Sequence, residues 1–210
     1  MQSWTITTNF IFAWYKRVEY IQSSWSGQTW QFIYTGLYGS NINTVEMTFA
    51  FPSLPPSDVV NLIWSREANN TAVSPIRVDT SKYMIPWFWS PLNTNYQLTA
   101  NTKYTVKTIY STSSQSTYID WVSRWTSSIS YSYSNTRNIT IFWLSDNWYV
   151  WNRWAFRLYW CKLYNWNNLL RDFYPVYRKS DSVIWLLDIV NKVFYTNSWS
   201  WTFSKWPDIN

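Results

Sequence analysis

Arg157-Leu158-Tyr159-Trp160-Cys161-Lys162-Leu163-Tyr164 runs into Asn165-Trp166 and then into Leu169-Leu170-Arg171-Asp172-Phe173-Tyr174-Pro175-Val176-Tyr177. Two runs rich in Leu, Tyr, Val and Phe flank a short polar break, which is the pattern of a β-hairpin. The same unit recurs along the chain. Strand-like runs span Tyr15 to Gln22, Trp30 to Thr35, Asn43 to Phe51, Tyr104 to Tyr110, Thr117 to Trp121, Asn138 to Phe142, Ala155 to Tyr164 and Leu169 to Tyr177. In Val45-Glu46-Met47-Thr48-Phe49-Ala50-Phe51 the odd positions are apolar, as in a strand with one buried face.

Helical signals are weak by comparison. Ser57-Asp58 has the look of an N-cap, yet Val59, Val60 and Ile63 fit a buried strand equally well. Asp188 and Lys192 stand at helical i,i+4 spacing in a segment that is short. The expectation is an all-β chain with at most a turn or two of helix. No linker or solenoid period interrupts it, and Pro52-Ser53-Leu54-Pro55-Pro56 reads as a loop between strands. A chain of 210 residues suits one β-sandwich domain, with residues 1–13 unassigned and 14–210 forming the domain.

Composition narrows the chemistry. The one cysteine, Cys161, excludes a disulfide framework and any Cys-rich zinc site. With no histidine, a Ser-His-Asp triad is excluded and the commonest metal ligand is missing. The net charge of +6 is spread singly or in pairs, Lys16-Arg17 and Arg178-Lys179 being the densest groups, so no nucleic-acid arm is expected. No apolar run is long enough for a transmembrane helix, so no membrane span is expected. Met1-Gln2-Ser3-Trp4 lacks the basic start and apolar core of a secretory signal. The expectation is that the protein leaves the cell by another route, or that Met1 is not its natural start.

Two residue types are out of proportion. Average usage of about 7% would give roughly 15 glycines. The chain has 3 glycines and 19 tryptophans. Turn-rich β proteins need glycine because it takes φ > 0 without steric cost. Here tryptophan follows Asp or Asn in Asp120-Trp121, Asn147-Trp148 and Asn165-Trp166, where Asp-Gly or Asn-Gly would be the strongest hairpin signal. Trp87-Phe88-Trp89, Trp199-Ser200-Trp201 and Trp143, Trp151 and Trp154 read the same way: with glycine in place of tryptophan they become ordinary loops or turns. One reading packs the tryptophans in the core or along an aromatic binding face. The other, favoured by the turn positions, is decoding: UGA means glycine in some bacterial lineages and tryptophan in others. Exposed turns at 121, 148 and 166 would support the second reading; packed core positions would support the first.

With glycine at those positions the chain resembles the laminin-G-like, concanavalin A-like jelly-roll modules of bacterial and phage proteins. Tyr15-Lys16-Arg17-Val18-Glu19-Tyr20-Ile21-Gln22-Ser23-Ser24 is similar to that family's first strand, and Phe32-Ile33-Tyr34-Thr35-Gly36 to the segment after it. Asn43 to Phe49 resembles its second long strand, and Leu62-Ile63-Trp64-Ser65-Arg66 its Phe-Gly-Ser-Arg segment. Tyr118-Ile119-Asp120-Trp121-Val122 resembles its Tyr-Val-Asp-Gly hairpin. The most specific likeness runs from Arg157 to Lys179, through Leu187 to Asn197, and into Lys205-Trp206-Pro207-Asp208. The resemblance implies a two-sheet antiparallel jelly-roll β-sandwich. It also implies a non-catalytic recognition or adhesion module, cell-surface, extracellular or virion-associated, with carbohydrate the leading ligand.

Two alternatives stay open: a structural or assembly domain of a virion or surface particle, whose partner is a surface protein, and a glycan-cleaving enzyme of the same fold. Glycan cleavage needs two carboxylates about the scissile bond. No two of the eleven acidic residues lie within five residues of each other, so no strand presents a pair and only distant residues in the fold would supply one. Glu19 and Glu46 are expected on solvent-facing strand positions, and Asp172 beside Arg171 in a structural role. Cys161 reads as a small buried hydrophobe. Gly36-Leu37-Tyr38-Gly39 reads as a simple turn, since no phosphate-loop element follows it. No cofactor is expected; calcium stays open through Asp79, Asp146 and Asp181, loop-like positions in no spaced ligand motif. For sugar binding the candidates are Arg66 with Asn69 and Asn70, and Asn93 with Asn95 and Tyr96, loop amides and aromatics that read equally as ordinary loop residues.

Overall fold

Among the described residues the chain forms fifteen strands: β1 (Tyr15–Gln22), β2 (Ile33–Tyr38), β3 (Thr44–Ala50), β4 (Val60–Arg66), β5 (Ala72–Val78), β6 (Met84–Phe88), β7 (Tyr104–Tyr110), β8 (Gln115–Ile119), β9 (Val122–Ser127), β10 (Asn138–Ile141), β11 (Arg157–Asn165), β12 (Asn168–Arg178), β13 (Ile184–Asp188), β14 (Val193–Tyr195) and β15 (Ser204–Asp208). The computed structural model describes residues 14–23, 31–55, 59–66, 72–88, 94–111, 113–128, 137–142, 154–197 and 203–208. A ten-stranded sheet has the order β14-β13-β12-β1-β11-β3-β7-β8-β9, with β15 on β1 and β12 also on β11. A five-stranded sheet has the order β2-β10-β4-β5-β6. The sheets form an antiparallel jelly-roll β-sandwich, as the sequence led us to expect.

The described parts of both segments weighed as helix are strand or hairpin, while Ser57 and Asp58 lie outside the described residues. Val60–Arg66 is β4 in the small sheet, and Asp188 to Val193 turns between β13 and β14. Gly36 to Tyr38, expected as a turn, belongs to β2, and a 3-10 turn follows at Gly39–Asn41. The turn signal misled because Gly36 takes φ +70 inside a strand.

Inward-facing residues of the large sheet alternate with outward ones, as the pleat requires. Val45, Met47, Val106, Leu158, Cys161, Leu163 and Phe173 meet Ile33, Ile63, Ile76, Ile139 and Ile141 of the small sheet in one core. Phe156 lies at its centre, 4.6 Å from Phe142 and 6.5 Å from Phe49 between ring centroids. Each such ring, fully buried, contributes about 1.5–3 kcal/mol. Cys161 is buried and its thiol is pushed up by desolvation, in keeping with a packing role.

Polar bonds also cross the core. Thr108 Oγ1 donates to the Pro75 carbonyl at 3.0 Å, joining β7 to β5. Arg171 points inward from β12 and its Nε donates to the Thr35 carbonyl of β2 at 3.0 Å. The same Nε stands 3.5 Å from Asp188 Oδ2, whose side chain is fully buried. Asp188 is satisfied on both oxygens: Oδ1 accepts from the Asp172 and Val190 amides, and Oδ2 from Asn191 Nδ2. Gly36 lies beside the same guanidinium, and its φ of +70 is what requires glycine there, since a Cβ would stand at an ordinary 3.4 Å from Arg171 Nη2.

Two of the three Asx-Trp turns are among the described residues; Trp148 lies outside them, as do Trp143, Trp151 and Trp199 to Trp201. Asp120 and Trp121 form the two-residue loop between the paired Ile119 and Val122, at φ 49 and 66. Positive φ at both central positions is the type I′ hairpin geometry. Trp166, at φ 52, turns β11 into β12. Trp121 and Trp166 are 64% and 65% exposed. Of the others, Trp87 departs from the loop reading because it lies in β6, while Trp154 lies outside the strands, before β11, and its Nε1 donates to the Ser53 carbonyl. Trp64 is buried in β4.

A left-handed non-glycine residue is strained by about 1–2 kcal/mol. Trp121→Gly and Trp166→Gly are each expected to stabilise the protein by about 1 kcal/mol in urea titrations once the freer unfolded chain is counted, while the alanine variants do not. Asp188→Ala, which leaves the Arg171 guanidinium unpaired in the core, is expected to cost roughly 3–5 kcal/mol in the same titrations.

Candidate functional site

The face of the large sheet turned away from the small one carries a row of alternating charge. Because Thr108, Met47, Cys161 and Phe173 point into the core, their neighbours Lys107, Glu46, Lys162 and Asp172 point outward. Strand register then sets them side by side: Lys107 opposite Glu46, Glu46 opposite Lys162, and Lys162 opposite Asp172. Three strand spacings of about 4.8 Å make the row about 14 Å long.

Lys107 Nζ lies 2.7 Å from Glu46 Oε1, and Tyr164 Oη donates to Glu46 Oε2 at 3.1 Å. Lys162 Nζ lies 3.6 Å from Asp172 Oδ2 and 5.6 Å from the Trp160 ring centroid. The carboxylate side chains are 9% and 6% exposed, while those of Lys107 and Lys162 keep 30% and 27% in solvent. The row is therefore reached from outside through its lysines. Glu46 departs from expectation: it was placed on a solvent-facing position, but β3 is flanked by β11 and β7, so even its outward residues Thr44, Glu46 and Thr48 are buried.

Asp172 Oδ1 is buried with no hydrogen-bond partner among the described residues. Burial raises the Asp172 carboxyl above its ordinary range, and Lys162 opposes that shift. Burial also raises the Tyr164 phenol, with the Glu46 charge adding to it, so Tyr164 stays a neutral donor at physiological pH.

Aromatic rings and cations extend the face toward the start of β11. Tyr159 and Tyr20 sit 5.2 Å apart between centroids. Lys103 Nζ lies 4.0 Å from the Tyr159 centroid and 3.1 Å from Glu19 Oε1. The Arg157 guanidinium is 5.0 Å from the Tyr20 centroid and donates to Gln22 Oε1. Arg17 lies over Tyr174, at 4.6 Å. Such contacts fix ring orientation in water as well as holding charge. The face offers flat rings, donors and acceptors, with its charges largely neutralised in place.

The candidates drawn from the loops lie elsewhere. Asn69, Asn70 and Asn93 are outside the described residues. Arg66 ends β4 opposite Ala72, at the edge where Val73 pairs with Phe88. Asn95 and Tyr96 lie at the other end of β6, where the Met84 amide donates to the Tyr96 carbonyl. Tyr96 packs edge-on to Tyr104, beneath Arg124. Register thus sets Arg66 and the Asn95–Tyr96 pair at opposite ends of the small sheet. Of the calcium positions, Asp79 Oδ1 accepts from the Ser81 and Tyr83 amides and Asp181 bonds Arg178, while Asp146 is outside the described residues. The described residues hold no group of three or more potential metal ligands.

No family model and no curated protein matches the chain. Among solved structures, a candidate carbohydrate-binding protein from Bacteroides ovatus matches with a TM-score of 0.61 at 11% identity, over 92% of this chain and 62% of that one. This chain thus spans less than two thirds of that protein. A Bacillus licheniformis β-glucanase matches at TM-score 0.45 and 7% identity over 72% of this chain and 97% of that one. A Trypanosoma rangeli sialidase matches at 0.45 and 13% over 57% and 20%. At these identities the likeness to the Bacteroides protein is one of fold.

The raised Asp172 carboxyl fixes the sign of a pH effect. A carboxyl whose folded pKa exceeds its unfolded value stabilises the fold below the unfolded pKa and loses that contribution as pH rises through the folded one. The stability of Asp172→Asn relative to the parent is therefore expected to improve as pH climbs above 3.8, the ordinary aspartate value, in urea melts taken from acid to neutrality.

Proposed function

We propose that this chain is a non-catalytic recognition or adhesion module of a bacterial surface or phage protein, and that the outer face of its large sheet binds carbohydrate. The observation that carries the reading is Asp172 Oδ1, which has no hydrogen-bond partner among the described residues and lies at the end of the alternating lysine–carboxylate row, near aromatic rings. An orphaned buried acceptor is costly, and a ligand hydroxyl would satisfy it. Sugars pair hydroxyl groups with apolar ring faces, so they suit side chains that combine both functions, as the partly exposed Tyr159, Tyr164 and Tyr174 do. A protein of the same fold being a candidate carbohydrate-binding protein supports the ligand class.

Glu46 and Asp172 are also the pair that a glycan-cleaving reading would use, since they flank Lys162 on strands two apart. Against it, each carboxylate is held by its own lysine, and Glu46 also accepts from Tyr164. Both carboxylate side chains are also largely buried, at 9% and 6% exposed, which counts against attack on an anomeric carbon.

A glycan array against the full chain is expected to give retained sugar ligands without cleavage products. Asp172→Asn and Tyr159→Ala, checked for folding by circular dichroism, are expected to weaken the best ligand by about tenfold or more, the loss of one charge-assisted hydrogen bond or one ring contact. An array with no ligand, or with ligands unaffected by both variants, overturns the proposal. Release of shortened glycans moves it to the enzyme.

A further inference from the structure

The tryptophans at the two described hairpin tips do nothing for the fold that a smaller residue would not do better. Trp121 and Trp166 each hold φ in the left-handed region, at 66 and 52, where bulky side chains are outliers. Each also leaves about two thirds of its surface in water, 64% and 65%, and so forgoes most of the burial that makes tryptophan worth having. Asp120 and Trp121 hold the two central positions where Asp-Gly is usual, and Trp166 is the first of the two loop residues between the paired Asn165 and Asn168, the position that a type II′ turn gives to glycine. Asp120 is already engaged, since its Oδ1 accepts from the Thr105 amide at 2.9 Å.

A shared binding platform would be a reason to expose both rings, but the strand registers keep them apart. Trp121 lies at the Thr105 end of β7, where Val106 pairs with Ile119. Trp166 lies beyond Tyr164, which pairs with Thr44, and Thr44 pairs with Ile109 at the opposite end of β7. The two tips sit at opposite ends of the sheet. Two indoles fit imperfectly as well: the Nε1 atoms of the buried Trp64 and the partly buried Trp185 have no hydrogen-bond partner among the described residues. The described tryptophans are not uniformly misplaced, because Trp185 packs against Tyr15 and Phe194. The excess of 19 tryptophans over 3 glycines nevertheless has one economical cause.

We propose that positions 121 and 166 are UGA codons that the source organism reads as glycine, so that the protein made in its own cells carries Asp-Gly and Asn-Gly at these turns. This inference stands apart from the carbohydrate reading, since neither residue belongs to the outer-face row. It does bear on that face: the same codon at Trp160 would leave tyrosines as its rings.

The test is tandem mass spectrometry of tryptic peptides from the protein purified out of its source cells. The peptides spanning residues 108–124 and 163–171 contain the two positions. Glycine at both, with each of these fragments lighter by the difference between an indolylmethyl group and a hydrogen, is the expected result. Tryptophan at either position overturns the proposal.

Discussion

Between the two sheets the Arg171 guanidinium meets Asp188 at 3.5 Å and reaches across to the Thr35 carbonyl at 3.0 Å. One side chain thereby ties β12 to the β13–β14 hairpin and to β2 of the opposite sheet. A buried pair of this kind adds little net stability over an apolar replacement. What it does is make the arrangement specific, because each polar atom has a partner only when the hairpin and β2 are both seated. Gly36 sits beside the same guanidinium, at a φ of +70 that L side chains rarely adopt.

The outer face follows from the inner one. Since Arg171 points into the core, Asp172 must point out, and its amide is held by Asp188. The pleat then aligns Asp172 with Lys162, and the ladder continues to Glu46 and Lys107. A two-residue sequence step thus supplies a pin for the interior and the end of a surface row. The charges cancel pairwise, which lets two carboxylates stay largely buried while their lysines remain partly in water.

Much of this was legible in the sequence where the physics is local. Tyr15–Gln22 and Tyr104–Tyr110 are strands with the bounds expected, since alternation and β-branched content act over a few residues. The Asp120-Trp121 turn was marked by its aspartate, whereas Asn165 proves to end β11 and the loop falls one residue later, at Trp166-Asn167. Less legible were β4 and β6: Val60–Arg66 is apolar on both faces and Trp87 carries a loop signal, so period and turn chemistry conflict. The charged row was not legible at all. Lys107, Glu46, Lys162 and Asp172 come from four strands far apart in the chain, and no spacing motif joins them.

The sequence by itself determined the β class, the lack of histidine and disulfide chemistry, the turn positions and the misfit of tryptophan within them. Those depend on residue type and near neighbours. Only the tertiary structure decided which polar residues meet, because strand order in a jelly-roll is set by long-range pairing. Side-chain direction then follows from register, and a shift of one residue would have turned Glu46 and Asp172 into the core and left the surface row unmade.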